Sequence, residues 1–128
     1  MNRHVFDASA VLAILQQEPG AEKAIPVLES GECAISAANL AEVASKLLLR
    51  GMTPPQVAEA CDALALEVVP VDTGIAMIAA QLAVPGQALG LSLGDRCCLA
   101  TAISLQAQAV TADRAWASLH DPKVMLIR

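Results

Sequence analysis

Five short apolar runs, spread from one end of the chain to the other, constrain the fold most. They are HVF at residues 4–6, CAI at 33–35, EVVPVD at 67–72, AVTA at 109–112 and KVMLI at 123–127. Each is too short to cross a membrane, and CAI is compact and apolar enough to be a buried strand. Stretches with helical periodicity separate them. Short buried strands alternating with helices predict a three-layer α/β/α sandwich, with a central, mainly parallel sheet of four or five short strands and right-handed crossovers. The chain shows no internal repeat and no linker, so residues 1–128 read as a single domain, long enough to bury a core without disulfides.

The punctuation between the runs follows helix chemistry. Asp7 or Ser9 caps a helix carrying Val11, Leu12 and Leu15, which Pro19-Gly20 stops. AEKAIPVLESG reads as a second helix that Pro26 limits or kinks. Ser36 caps a helix that ends at Gly51, with Leu40, Val43, Leu47 and Leu48 on its apolar face. Thr53 and two prolines open the next helix. Pro70 makes EVVPVD an edge or irregular strand. Asp72 or Thr73 opens a helix to about Ala83, VPGQALGLSLG reads as a loop, and DRCCLATAISLQA as a long helix. DRAWASLH reads as helical, and its Trp116 as a packing residue.

Apolar residues make up 55% of the chain and aromatic ones 2%, a balance that suits small-residue helices packed closely on a sheet. The net charge of −5 is the opposite of the basic footprint expected of a simple nucleic-acid binder. It leaves room for a phosphate-ester enzyme whose bound cations invert the local potential. The four cysteines form no zinc-type pairing, and read as small buried side chains in a reducing compartment. With no cleavage pattern and no membrane-length apolar run, the expected location is cytoplasmic.

Four acids stand where such a sheet places its ligands, beyond the carboxyl ends of the strands. Asp7 follows the first strand and Asp113 the AVTA strand. Asp95 lies in the first turn of the helix before AVTA, and Glu42 about two turns into the helix after the second strand. Each has a local reading as well. Asp7 and Asp113 are good caps, Asp95 with Ser92 makes a capping box, and Glu42 can pair with Lys46 four residues on. Glu42 sits least comfortably with that, because Ala38, Ala41 and Ala44 allow close backbone approach and a carboxylate near a core face needs a cation or donors. Oxygen ligands without a His/Cys cluster favour Mg²⁺ or Mn²⁺ over structural zinc. His4 and His120 have no nucleophile partner, so no histidine mechanism is assigned.

In order and spacing, VFDASAVLAIL, ISAANLAEVASKL, LSLGDRCCLATA and AVTADRAWA resemble the acid-bearing segments of the PIN-domain family, particularly the VapC-like toxins of bacterial toxin–antitoxin systems. The resemblance spans essentially the whole chain. It implies a PIN-like α/β/α fold and a Mg²⁺- or Mn²⁺-dependent endoribonuclease that hydrolyses RNA phosphodiesters to a 5′-phosphate and a 3′-hydroxyl. Asp7, Asp95 and Asp113 would then be metal ligands, directly or through water, and Glu42 would bind a second ion or orient water. Ser9, Asn39 and Thr111 are candidate supports of the pocket. Arg96 is a candidate phosphate contact or counter-ion, Arg114 a weaker one, and Lys46 and Arg50 a basic margin. On the residues alone, Thr111 reads first as a β-branched strand residue, Ser9 as a local cap or hydrogen-bond donor and Asn39 as helix surface. The resemblance further implies a homodimer held by a cognate VapB-like antitoxin, which would link it indirectly to operator DNA. A PIN-like DNA nuclease and a noncatalytic protein- or RNA-binding module are the competing readings.

Overall fold

The computed structural model describes residues 3–128. Five strands, β1 (His4–Phe6), β2 (Cys33–Ser36), β3 (Glu67–Val69), β4 (Gln108–Thr111) and β5 (Val124–Leu126), form one sheet in the order β3-β2-β1-β4-β5. All four pairings are parallel. The sheet thus grows outward from β1 in both directions, which puts the topological switch point between β1 and β4. β3 is an edge strand that stops just before Pro70, as proline's missing donor dictates.

The helices are α1 (Ala8–Gln16), α2 (Ala21–Glu29), α3 (Ala37–Leu49), α4 (Pro54–Ala63), α5 (Thr73–Gln81), α6 (Ala83–Gln87) and α7 (Leu93–Leu105). Strand alternation divides them between two faces. Phe6, Ile35 and Val110 point into a core with Val11 and Leu12 of α1, Ala24 of α2, Val43 and Leu47 of α3 and Val57 of α4. Their neighbours Val5, Ala34 and Ala109 face Cys98, Leu99 and Ala102 of α7, together with Trp116. Ile75 and Ala79 of α5 pack on Cys97 and Ala100 of α7. Each fully buried Val, Leu or Phe contributes about 2 kcal/mol. Trp116 has no exposed surface, so it packs and cannot stack a base. All four cysteines are free thiols, and three of them are buried. No helix among the described residues is long and apolar enough to cross a membrane.

Three local expectations are corrected. The stretch read as a loop from Val84 contains α6: Pro85 falls in its first turn, where a missing N–H is harmless, and Gly86 lets the chain close against Leu91. α2 runs through Pro26 to Glu29, forfeiting one helical bond without ending there. DRAWASLH makes only a 3₁₀ turn over Arg114–Ser118, the short form that helices take between closely spaced elements.

Gly20, at the start of α2, has φ +101°, and a Cβ there would lie 2.8 Å from the Ile127 carbonyl oxygen. Gly31 has φ +85° with open space around it. Gly31→Ala therefore incurs backbone strain alone, about 1 kcal/mol, while Gly20→Ala incurs strain and a collision. Urea unfolding is expected to show Gly20→Ala as clearly the more destabilising of the two.

Candidate metal centre

Phe6 pairs with Ile35 on one side and with Val110 on the other. The next residues along are Asp7, Ser36 and Thr111, so register alone lines up three polar side chains at the carboxyl edge of the sheet. All three are buried. The Asp7 amide continues the ladder by donating to the Val110 carbonyl at 3.0 Å.

Asp7 caps α1. Its Oδ1 accepts from the Ala10 amide at 2.9 Å and from Ser9 Oγ at 2.7 Å, and its Oδ2 accepts from Thr111 Oγ1 at 2.6 Å. Ser9 is not the cap. Its Oγ instead accepts from the Ala112 amide at 2.9 Å, tying α1 to the end of β4. Thr111 Oγ1 also accepts from the Asp113 amide at 3.0 Å, which shapes the turn that presents Asp113. Ser9 and Thr111 thus support Asp7 directly. Burial pushes the Asp7 carboxyl up to about 6, against the lowering effect of Thr111, the Ala10 amide and Ser9, with a smaller push from the Asp95 charge.

Asp95 completes the capping box of α7: its Oδ2 accepts from the Ser92 amide at 2.9 Å, and its amide donates to Ser92 Oγ at 3.1 Å. Asp113 Oδ1 accepts from the Ala115 amide at 3.0 Å. Glu42 Oε1 accepts from Asn39 Nδ2 at 2.8 Å, and Lys46 forms no ion pair with it within 4.0 Å. Asp95 Oδ1, Asp113 Oδ2 and Glu42 Oε2 accept no hydrogen bond from the described residues.

These four acids, with Asn39 and Lys46, line one open cleft of about 120 Å³. Among the described residues no three His, Cys, Asp or Glu side chains stand close enough together to hold a metal ion as they are. The donor set nevertheless suits a hydrated hard cation: it is all oxygen, each of three acids keeps one oxygen unengaged, and a Mg²⁺-type ion retains several waters and needs few protein ligands. Arg96 departs from the sequence expectation. It does not line the cleft, and its Nη1 donates to the Ala79 carbonyl of α5 at 3.0 Å. Arg114 is likewise drawn to the Arg128 carbonyl at 3.2 Å. Lys46 is the one cation lining the cleft among the described residues. Sequence reasoning missed the contact between Asn39 and the Gly94 carbonyl, at 3.1 Å; the adjacency of α3 and the start of α7 has no signature in either segment alone.

A larger cavity, about 750 Å³, lies elsewhere among the described residues, at the amino ends of the strands beside His4 and Gln108. It holds Asp121 but none of the four acids, and its size does not make it the centre of this chemistry.

Because the Asp7 carboxyl binds its proton more tightly folded than unfolded, its contribution to stability is full below about pH 4 and is lost as pH rises through 6. In metal-free protein Asp7→Asn keeps a capping side chain and removes the buried charge. It is expected to be the more stable protein at pH 8, by on the order of 2 kcal/mol, with the difference vanishing near pH 4. Urea unfolding across that range checks this, and a pH-independent difference would contradict it.

The PIN domain family model matches residues 4–121. No curated protein sequence matches the chain. Among solved structures, a chain of VapBC2 from Rickettsia felis, bound to a DNA fragment from its promoter, aligns with TM-score 0.75 at 15% identity over 96% of this chain and 97% of that one. DNA-bound VapBC from Salmonella typhimurium gives TM-score 0.76 at 17% identity, covering 100% of both chains. A toxin–antitoxin complex from Klebsiella pneumoniae gives 0.72 at 24% identity over 98% of each. With a parallel sheet of matching architecture and a family match that takes in all four acids, this chain belongs to the PIN domain family.

Proposed function

We propose that this protein is a Mg²⁺- or Mn²⁺-dependent endoribonuclease, a VapC-like toxin of one PIN-like domain over residues 1–128, neutralised by a cognate antitoxin. The observation that carries the reading is the meeting of Asp7, Glu42, Asp95 and Asp113 in one cleft, from four separate segments. Family membership makes a nuclease the matching chemistry. The structural neighbours named above come from toxin–antitoxin assemblies, which supports the toxin role and a VapB-like partner.

Asp7, Asp95 and Asp113 would hold the cation, with Glu42 holding a second ion or orienting water. A bound divalent ion supplies a more acidic water and neutralises charge on the phosphoryl oxygens. Asp7 contributes a negative charge that the fold leaves costly until a cation answers it. Ser9 and Thr111 fix both of its oxygens, so its orientation is set before any ligand arrives. Lys46, exposed at the rim, can contact a phosphate of the incoming strand. The exposed apolar side chains Leu49, Met77, Val84 and Leu93 supply surface for a second copy of the chain and for the antitoxin. Contact with operator DNA would run through the antitoxin, in a cytoplasmic setting.

The test is cleavage of single-stranded RNA by purified, antitoxin-free protein titrated with Mg²⁺ or Mn²⁺, with a DNA strand of the same sequence alongside. RNA cleavage that needs the metal is expected, and Asp7→Asn and Asp95→Asn are each expected to reduce it by at least two orders of magnitude while remaining folded. Full activity in both variants would sink the site assignment. Preferential DNA cleavage would favour a PIN-like DNA nuclease, and folded, metal-binding protein without cleavage a noncatalytic module.

A further inference from the structure

Asn39 is a polar residue buried in the first turns of α3, 1% exposed, where a helix gains nothing from it. Nor does it cap: Ser36 closes the start of α3 by accepting from the Ala38 amide. Instead its Nδ2 donates to Glu42 Oε1 at 2.8 Å and to the Gly94 carbonyl at 3.1 Å. Both partners are acceptors, which fixes the orientation of the amide. Its Oδ1 is buried with no partner among the described residues. On the other side of the contact, a Cβ built on Gly94 would stand 2.8 Å from the Glu42 carboxyl carbon, and nearer still to Oε1. Gly94 has an ordinary helical backbone, so its lack of a side chain serves space and not conformation.

We propose that Asn39 and Gly94 form a clamp that positions the Glu42 carboxylate at the cleft. Asn39 holds one oxygen by a hydrogen bond, Gly94 leaves the slot that the carboxylate occupies, and the other oxygen stays open to a cation or its water. The clamp also bridges α3 and the first turn of α7, since the Asn39 amide bonds to both elements. Asn39 is thus a positioning residue, acting through Glu42. The inference rests on the metal reading above and specifies what sets one of its carboxylates.

Two measurements on the full-length, metal-free protein and its Mn²⁺ complex test it. In urea unfolding without metal, Gly94→Ala is expected to be less favourable in the wild-type background than in a Glu42→Ala background, where the new methyl has room and alanine is the better helix former. In calorimetric Mn²⁺ titration, Asn39→Ala and Gly94→Ala are each expected to weaken affinity roughly tenfold or more. Neither should add a further loss once Glu42 is alanine. An equal stability effect of Gly94→Ala in both backgrounds overturns the clamp. So do losses of Mn²⁺ affinity that add fully to that of Glu42→Ala, since they would show Asn39 acting apart from Glu42. A wild-type protein that binds no Mn²⁺, yet keeps the Gly94–Glu42 coupling in stability, overturns the metal reading and the positioning role with it. Normal Mn²⁺ binding without the coupling overturns the clamp alone.

Discussion

The Asp7 carboxylate is the point on which the rest of the structure turns. It ends the central strand, caps the first helix and reaches across to Thr111 at the end of β4. Each of these roles is a consequence of register: pairing Phe6 with Ile35 and Val110 leaves Asp7 flanked by Ser36 and Thr111 at the switch point of the sheet. The same location removes it from water. Three donors and a helix N-terminus favour the charged form, yet burial outweighs them and the proton is held up to about pH 6. A fold that only needed a cap here would do better with Ser, Thr or Asn, none of which carries a charge to bury.

Capping and ligation look like rival accounts of the acids when each residue is read as a single group. A carboxylate has two oxygens with lone pairs to spare, and this structure divides them. Asp95 gives Oδ2 to the Ser92 amide, Asp113 gives Oδ1 to the Ala115 amide, and Glu42 gives Oε1 to Asn39. In each case the second oxygen remains for the cleft. The local bond is what restrains the side chain, so the cap is the means by which a surface acid acquires a defined direction. Asp72 shows the same capping bond, to the Ile75 amide, at a strand end away from the cleft. A capping acid is therefore not a sign of a site by itself; position in the sheet order decides.

That distinction explains what was legible in the sequence. Strands and their helices could be read because strand burial and helix caps are local signals: Asp7, Ser36, Thr53, Asp72 and Ser92 all cap where their residue types suggest. The four acids could be read as a group because strand ends in a parallel sheet share one rim, and the PIN-like order of segments agreed. What escaped was contact across the chain. Arg96 neighbours Asp95 in sequence, but one helical step rotates it towards α5, where the Ala79 carbonyl takes it. Asn39 reads as helix surface until α7 arrives with a glycine opposite it. α6 escaped for the opposite reason: proline and glycine usually mark loops, yet here Pro85 falls in the first turn of a helix and Gly86 lies close against Leu91.

The withdrawal of both arginines has a consequence for how a strand of RNA would meet this surface. Arg96 and Arg114 are engaged with backbone carbonyls, which leaves Lys46 facing four carboxylates in a chain already carrying a net charge of −5. Beyond about 10 Å salt screens that imbalance, but a phosphate entering the cleft is inside that range. The protein's own side chains therefore repel the group they would act on. Under the proposed function the compensating positive charge would come from a cation, and the oxygens that the caps leave open are where it would bind. Acidity in a candidate ribonuclease is then no contradiction: under the proposed function, a cation in the cleft would serve substrate approach as well as chemistry.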